Sequence, residues 1–392
     1  MEESRIHVSS FTEKSDLNLL NEIIIFNPGS VCGGCLIKNI LPYFNEKRFN
    51  LLESVEKLMN KYLTIVTEGG RAFGFGHITR CKAIADCFQR YGFLTKFVIN
   101  GDASIYSVLE ESRVIMYDWI KHKDRLLDNL HSSSIILIDS IEITNKQIAE
   151  IQSVGVPIIF IDDEKRRNFL EAGFVVDWTV LSDNKDYFVP RKNKVTYLLG
   201  SQYTPLREEY NTAKKNKIKD NIQSIMVTFG GSDVRNLTPF FLKNLNKILP
   251  NCKKNIIIGS GFYNLQQIEK FKDKNTNLIF EVTASKMVEV MQGSDLAIAS
   301  GGQTLYELAK IGTPAIVVLI AENAKSDTFG WAEVGSISYI GWWDDEKLLR
   351  NLEIKLSLLK SKKKRKEMQD YAKEYINPNG ANLLVNSIIK AL

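Results

Sequence analysis

The sequence has little of several features that would assign it to a specialised class. Its 392 residues contain no apolar run near the ~18–20 residues that a membrane span needs, since the longest, Pro314–Ala321, is strand-sized. Net charge is only +5, and basic residues are not gathered on the concentrated face typical of nucleic-acid binding. The first twenty residues lack an apolar signal segment, so we expect a cytoplasmic protein without an integral membrane segment.

Lysine-rich stretches are short and local. The runs at residues 214–219 and 361–366 are most simply interpreted as solvated helix or loop surface. The alternative is contact with an anionic membrane surface. Neither run favours a nucleic-acid partner.

The chain has only five cysteines. An odd and small number of cysteines favours reduced thiols over a disulfide framework. Cys32 and Cys35 have the C-x-x-C spacing of a redox pair or half a zinc site. A structural zinc needs four ligands, and the other cysteines lie in distant segments. We therefore favour two ordinary thiols in a glycine-rich turn over metal or redox chemistry, and expect no metal and no cofactor.

The remainder of the chain predicts two tandem α/β domains. Apolar strands alternate with helical patterns from residue 62 onward, which indicates parallel sheets covered on both faces. We expect a first Rossmann-like domain at 62–212, a second at 213–365 and C-terminal helices at 366–392. Residues 1–61 do not show this alternation of strands and helices, and we interpret them as an N-terminal extension without assigned chemistry. In such a pair, ligands bind at the carboxyl ends of the strands, in the cleft between domains.

The first glycine-rich turn, Gly74-Phe75-Gly76-His77, links a strand to a helix. Glycines allow the backbone to approach a ligand, and the helix N-terminus behind them suits phosphate. His77 is one of only four histidines, and the only one in such a turn. Position alone leaves it open between a helix cap and a catalytic base. A G-x-G motif by itself is weak, because many nucleotide-binding turns share it.

Two further turns combine a strand end, paired glycines and a polar residue opening a helix: Gly230-Gly231-Ser232-Asp233 and Ser300-Gly301-Gly302-Gln303-Thr304. Backbone amides and helix dipoles there could neutralise a diphosphate without a metal. Glu307 lies one turn inside the second helix. Its carboxylate could accept both hydroxyls of a ribose, or could simply serve the helix N-terminus.

Together these motifs resemble the nucleotide-sugar hydrolases of the pseudaminic acid pathway (UDP-2,4-diacetamido-2,4,6-trideoxy-β-L-altropyranose hydrolases) and related spore-coat polysaccharide proteins. The resemblance covers about residues 62–392. It is carried by Gly74–Arg80, Ile161–Asp163, Leu199–Glu209, Gly230–Asp233, Gly301–Thr304 with Glu307, Glu322–Asn323 and Asn379–Ala381. It implies a GT-B fold. The third glycine-rich turn, Ser300–Thr304, also resembles the corresponding segment of the glycosyltransferase that completes lipid II, which has the same fold.

The resemblance implies site residues position by position. His77 and Asn323 are expected to be catalytic. The expected substrate-binding residues are Gly74, Gly76, Arg80, Gly230, Gly231, Ser232, Gly301, Gly302, Gln303, Thr304 and Glu307. The implied partner is a UDP-sugar, and the oligomeric state is not indicated.

The sequence departs from the family at two positions. The family has a tyrosine shortly after the strand-ending aspartate, where this chain reads Asp139-Ser140-Ile141, and Asn323 is followed by Ala324 in place of glutamine. Hydrolysis of a UDP-activated deoxyamino sugar at its anomeric carbon, in nonulosonic acid or surface polysaccharide synthesis, is the leading hypothesis. A GT-B glycosyltransferase with a sugar or lipid acceptor is the main alternative, and a non-catalytic nucleotide-sugar binding module is a third.

Overall fold

The computed structural model describes residues 61–163, 172–182, 194–214, 216–280 and 282–392. Residues 60–392 form one compact unit. The predicted extension, apart from Lys61, lies outside the described residues, and so do Cys32 and Cys35. Lys61 opens the first strand, one residue earlier than predicted.

The first domain is built on a seven-stranded parallel sheet in the order β3-β2-β1-β4-β5-β6-β7. Its central strands are mostly apolar, as in Ile135–Asp139, which is buried at every position and apolar up to its last residue. This is the pattern of a strand covered on both faces. The strands are β1 Lys61–Gly69, β2 Phe93–Gly101, β3 Val114–Met116, β4 Ile135–Asp139, β5 Ile158–Ile161, β6 Ala172–Asp177 and β7 Lys194–Leu199.

In the described part of the chain, three α-helices accompany this sheet: α1 Gly76–Arg90, α2 Lys123–Leu130 and α3 Asn145–Gln152. A further helix, α4 Glu208–Thr212, packs instead against the second-domain helices Ala284–Gly293 and Gln303–Ile311. The buried face of α1 includes Ile78, Ile84 and Phe88, which recur at helical spacing and join the core. Helix α3 begins with a capping box, in which Thr144 accepts from the Gln147 amide and Gln147 accepts from the Thr144 amide. The opposite core face holds Trp119, whose indole donates to the Thr67 carbonyl at 2.9 Å.

The second domain has a six-stranded parallel sheet in the order β10-β9-β8-β11-β12-β13. Its strands are β8 Ser224–Thr228, β9 Lys253–Ile257, β10 Thr276–Ile279, β11 Leu296–Ser300, β12 Ala315–Leu319 and β13 Ile337–Trp342. Its helices are α5 Leu237–Ile248, α6 Leu265–Phe271, α7 Ala284–Gly293, α8 Gln303–Ile311, α9 Lys325–Glu333 and α10 Leu348–Leu359. The two predicted parallel-sheet domains are confirmed.

The last two helices, α11 Lys362–Glu374 and α12 Gly380–Ala391, pack in different places. On α11, Gln369 Nε2 donates to the Gly312 carbonyl at 2.7 Å, which holds α11 against the second domain. Helix α12 returns to the first domain, where Arg90 of α1 donates to Asn382 Oδ1 at 2.7 Å. The two C-terminal helices therefore contact different domains.

Four strands were not anticipated from sequence: β3, β6, β7 and β13. β3 has three residues, all half-buried, and edge strand β7 alternates exposed and half-buried positions before its buried Leu198, so neither forms the apolar run used to find the others. Among the described residues, no helix combines the length and apolarity that crossing a bilayer requires.

Candidate active site

Asp139 and His77 are brought together by the pairing of two neighbouring strands. β1 and β4 are parallel neighbours with Thr67 opposite Asp139, so Asp139 ends its strand beside the turn that leads into α1. His77 is the second residue of α1, and its Nδ1 lies 2.8 Å from Asp139 Oδ1. Because an ionised carboxylate only accepts, Nδ1 carries the hydrogen in this pair. The neutral ring then keeps a lone pair on Nε2, as a general base requires.

Arg80 holds Asp139 in place through two hydrogen bonds. Its Nε donates to Asp139 Oδ2 at 2.7 Å and its Nη2 donates to Oδ1 at 2.6 Å. Its Nη1 donates to Asp163 Oδ2 at 2.6 Å. Burial alone would raise the pKa of Asp139, but the Arg80 and His77 charges outweigh it and hold that pKa well below its usual value. Asp139 is therefore ionised throughout the physiological range.

These contacts give Arg80 a positioning role. Three of its guanidinium donors are committed to carboxylates, and its Cζ lies 5.0 Å from the Trp178 ring centroid. A direct substrate contact by Arg80 stays a prediction. The pairing of Asp139 with His77 was missed from sequence, although one signal was available. Asp139 ends β4 and Asp163 follows the neighbouring strand β5, and the carboxyl ends of parallel strands share one edge of the sheet.

Ser140 directly follows Asp139, in the segment where a tyrosine was expected from the family resemblance. Its hydroxyl donates to Glu68 Oε1 and accepts from the Glu142 and Ile143 backbone amides at 3.1 and 2.9 Å. Glu68 is only 1% exposed, and burial raises its pKa, although the Ser140 hydrogen bond opposes the shift. A buried hydroxyl–carboxyl pair therefore stands at the end of β1, next to the His77–Asp139 pair that contributes to its electrostatics.

The first and second glycine motifs are in direct contact. A Cβ added to Gly231 would lie 2.6 Å from Phe75 Cδ2, so the ring packs directly over the glycine backbone. Ser232 Oγ donates to the Arg71 carbonyl at 3.3 Å. Gly230 has a φ of +76°, which a side-chain-bearing residue rarely adopts. The structure thus places Gly230, Gly231 and Ser232 against the loop that carries Gly74 and Gly76.

Helix α5, behind the second motif, differs from the sequence expectation. The backbone amides of Leu237 and Thr238 each donate to the Asp233 carboxylate at 2.9 Å. Asp233 therefore already occupies the helix end that was expected to neutralise a diphosphate. Any diphosphate contact from this motif would have to come from the glycine loop itself.

The third motif opens α8 without such a cap. Gly302 is the N-cap with a φ of +98°, and within the described part of the chain no side chain caps this helix. Gln303 Nε2 donates to the Pro205 carbonyl at 3.1 Å, which fixes the side chain toward the segment before α4. Thr304 follows in the first turn. This helix end retains the dipole suited to an anion.

Glu307 is engaged by two residues from the segment around α4. Arg207 Nη2 donates to Glu307 Oε1 at 2.9 Å, and Arg207 Nη2 also donates to the Tyr210 hydroxyl at 3.1 Å. Burial, then the Glu307 charge, raise the Tyr210 pKa well above its usual value, so the tyrosine stays protonated. Glu307 is thus neither exposed nor a simple helix cap, and its ribose contact stays a prediction.

Asn323 lies in a short 3-10 turn, Glu322–Ala324, directly after β12. A Cβ on Gly301 would come within 2.9 Å of the Ala324 Cβ, so this turn stands beside the third motif. Asn323 itself is exposed. The turn that carries Asn323 thus contacts Gly301 through Ala324, and the loop before His77 contacts Gly231 through Phe75. Over the described ranges, no cluster of three or more His, Cys, Asp or Glu is arranged to hold a metal ion.

The two parallel-sheet α/β domains have the fold of GT-B proteins. Residues 224–375 match the glycosyltransferase family 28 C-terminal domain. Among solved structures, MurG of Acinetobacter baumannii has a TM-score of 0.59 and 14% identity, covering 84% of this chain and 99% of that one. HepE of Anabaena, solved with UDP-glucose, has a TM-score of 0.55 and 12% identity, covering 84% and 100%.

Curated relatives confirm the resemblance seen in the motifs. The spore coat polysaccharide biosynthesis protein SpsG of Bacillus subtilis is 22% identical over 285 residues, 71% of this chain and 84% of that protein. The pseudaminic acid cytidylyltransferase and UDP-2,4-diacetamido-2,4,6-trideoxy-β-L-altropyranose hydrolase of Helicobacter pylori is 24% identical over 251 residues, 64% and 43% of the two chains. An uncharacterized protein of Methanocaldococcus jannaschii is 26% identical over 272 residues, 65% and 55%. The chain thus spans about half the length of two of these relatives.

Proposed function

We propose that this protein hydrolyses a UDP-activated deoxyamino sugar at its anomeric carbon and releases UDP and the free sugar. The observation that carries the proposal is the His77–Asp139 pair at 2.8 Å, fixed by Arg80 beside two glycine-rich loops in contact. The relation to the Helicobacter pylori protein, whose name includes such a hydrolase, supports the reaction type.

In this mechanism, His77 acts as the base. Its Nε2 takes a proton from water as the water oxygen bonds to the anomeric carbon. The bond from that carbon to the UDP oxygen breaks, and the electron pair leaves with UDP. Asp139 stabilises the imidazolium that forms and keeps Nε2 facing the reaction. A positioned base contributes roughly 10²–10⁴-fold to the rate.

The leaving group is assigned to the second domain. The uncapped N-terminus of α8 offers backbone amides and a positive dipole end to the departing diphosphate. Glu307 is assigned to the ribose hydroxyls, with Arg207 fixing the carboxylate. Asn323, on the turn beside Gly301, would orient the sugar or the water.

A glycosyltransferase remains a second candidate, and one observation favours it. Ser140 and its bond to Glu68 replace the family tyrosine, so one polar group expected to face the sugar is missing. The same nucleotide site would then serve a sugar or lipid acceptor in place of water. The match of residues 224–375 to a glycosyltransferase domain fits this candidate equally.

A screen of UDP- and CMP-activated deoxyamino sugars in ¹⁸O-labelled water, with and without acceptors, separates the candidates. Hydrolysis predicts free sugar carrying the label at its anomeric hydroxyl without any acceptor. A product formed only with an acceptor would establish the transferase instead. UDP binding without turnover of any donor would indicate a non-catalytic nucleotide-sugar binding module.

The base is tested with His77→Ala and His77→Gln on the donor found in that screen. We expect kcat to fall by about 10²–10⁴-fold with KM little changed. His131→Gln, at the end of α2, is the matched control for loss of a histidine. Near wild-type turnover by His77→Ala would show that another group accepts the proton.

A further inference from the structure

One hydroxyl group connects the two domains near the candidate site. Tyr306 of α8 donates from its Oη to the carbonyl oxygen of Trp178, which follows β6 of the first domain, at 3.3 Å. The same Oη is hydrogen-bonded to Asp327 Oδ1 of α9. All three groups are buried. We propose that Tyr306 and Asp327 are positioning residues that form a proton-dependent connection between the domains and hold Trp178 in the active arrangement.

A phenol has one hydrogen to donate, whereas a carbonyl oxygen and a carboxylate can only accept. Both contacts are therefore satisfied together only when Asp327 is protonated and donates to Oη, while Oη–H donates to Trp178. When Asp327 loses its proton, the phenol hydrogen turns to the carboxylate. The Trp178 carbonyl then loses its donor, and this one hydrogen bond between the domains is broken while their other contacts remain.

The surroundings favour the protonated form near neutrality. Burial raises the pKa of Asp327 to about 7; the charges of Asp163 and Asp177 add to this, while the Tyr306 hydrogen bond and Arg80 oppose it. Burial and the neighbouring Asp327 raise the Tyr306 pKa well above its usual value, so the phenol keeps its hydrogen. The Trp331 ring, 5.3 Å from the Tyr306 ring and nearly perpendicular to it, fixes the direction of Oη.

Trp178 links this pair to the catalytic histidine. Its ring lies against the Arg80 guanidinium at 5.0 Å, and Arg80 fixes Asp139, which fixes His77. On the other side, α9 packs its Gly330 against the Val180 carbonyl of the first domain. Releasing the Trp178 carbonyl therefore loosens the packing behind Arg80. The consequence is a lower kcat above neutrality, with substrate affinity less affected.

The test uses the full chain and compares Asp327→Asn with Tyr306→Phe. The side-chain amide that Asp327→Asn introduces can donate to Oη at every pH, so it imitates the protonated acid. In wild type, kcat is expected to fall above a midpoint near pH 7, by about tenfold per pH unit, as for a single ionisation. The fall should end at the kcat of the state in which Asp327 is ionised. Asp327→Asn should lack this decline. Tyr306→Phe should have the low kcat of the state with ionised Asp327 at pH 6 and at pH 8.

Asp344→Asn, at an exposed position, is the matched control and should retain the wild-type profile. The kinetic result rests on the proposed hydrolysis, so a second measurement needs no substrate. The infrared absorbance of protonated carboxyl groups should fall in wild type between pH 6 and pH 8 by most of the intensity of one group. This fall should be missing in Asp327→Asn. Absence of the change in wild type, or a kcat decline unchanged in Asp327→Asn, would overturn the proposal.

Discussion

The aromatic ring of Phe75 lies over the backbone of Gly231, with Cδ2 2.6 Å from the position that a Cβ would take. One residue belongs to the loop before α1, and the other to the loop after β8. The contact fixes the glycine loop of the second domain against the loop that carries the candidate base. A side chain at position 231 therefore cannot be added without displacing the Phe75 ring or the loop that carries it.

Gly231→Ala is therefore expected to raise KM for the nucleotide sugar and to lower kcat. Overpacking of this kind costs about 1–3 kcal/mol. If the whole cost falls on the catalytic arrangement, kcat/KM decreases by a factor of ~5–150. Steady-state kinetics on the cognate donor measures it. Gly293→Ala, where an added Cβ meets no atom within 4 Å, is the control. Trimming the ring in Phe75→Leu/Gly231→Ala should recover part of the loss; a double variant worse than the single one would contradict this account.

Asp139→Asn should remove the charge that orients His77 and balances Arg80. We expect kcat to fall by about 10²–10⁴-fold, because the ring loses its fixed hydrogen position. The free energy of unfolding should also fall by about 3–5 kcal/mol, since a buried guanidinium loses its main partner. Chemical denaturation and kinetics together measure both effects.

Asp163→Asn is the matched comparison, because Asp163 also accepts from Arg80 and has no bond to His77. It should lower stability with a smaller effect on kcat. The depressed Asp139 pKa gives stability that is present above pH ~4 and lost as pH falls further, so wild type should lose stability below pH 4 more steeply than Asp139→Asn. Equal kcat losses in the two variants would mean that Asp139 acts only through Arg80.

Glu307→Gln is expected to raise KM for the nucleotide sugar by ~10–100-fold with little change in kcat, because hydrogen bonds to charged groups contribute about 1.5–3 kcal/mol. A donor with a 2′-deoxyribose distinguishes a ribose contact from a structural one. Wild type should discriminate against it, and Glu307→Gln should not. Glu346→Gln, at an exposed position, serves as control. A fall in kcat at unchanged KM would contradict the ribose role.

The unfolding free energy should depend on pH through Asp327 in the direction opposite to Asp139. Its pKa rises from an ordinary 3.8 to about 7 on folding, so the folded state holds the proton more tightly. Stability from this group is complete below pH ~4 and declines as pH rises to about 7. The shift corresponds to about 4 kcal/mol over that interval. Denaturation of wild type and Asp327→Asn from pH 4 to 8 should show the slope in wild type alone.

Local patterns were sufficient to locate the glycine turns and the helices behind them. The Gly74–His77 turn, the Gly301–Thr304 turn and the strands that lead into them, β1 and β11, were predicted because apolar runs and glycine pairs are readable from neighbouring residues. β7 was missed because the strands were located by continuous apolar runs, and an edge strand that exposes one face has no such run. Asp139 was seen only as a strand end, since its pairing with His77 spans 62 positions and depends on β1 and β4 being neighbours.

The sequence by itself determined the two α/β domains and the residues that form each glycine turn, because periodicity and turn chemistry are local properties. Only the tertiary structure decided which turns meet and which side chains are already engaged. Asp233 occupies the end of α5, Arg207 holds Glu307, and a single Tyr306 hydroxyl is shared by Trp178 and Asp327. The Asp233 contacts span only four and five positions and depend on the local backbone, whereas the contacts of Glu307 and Tyr306 depend on domain packing, which brings together residues that no local pattern relates.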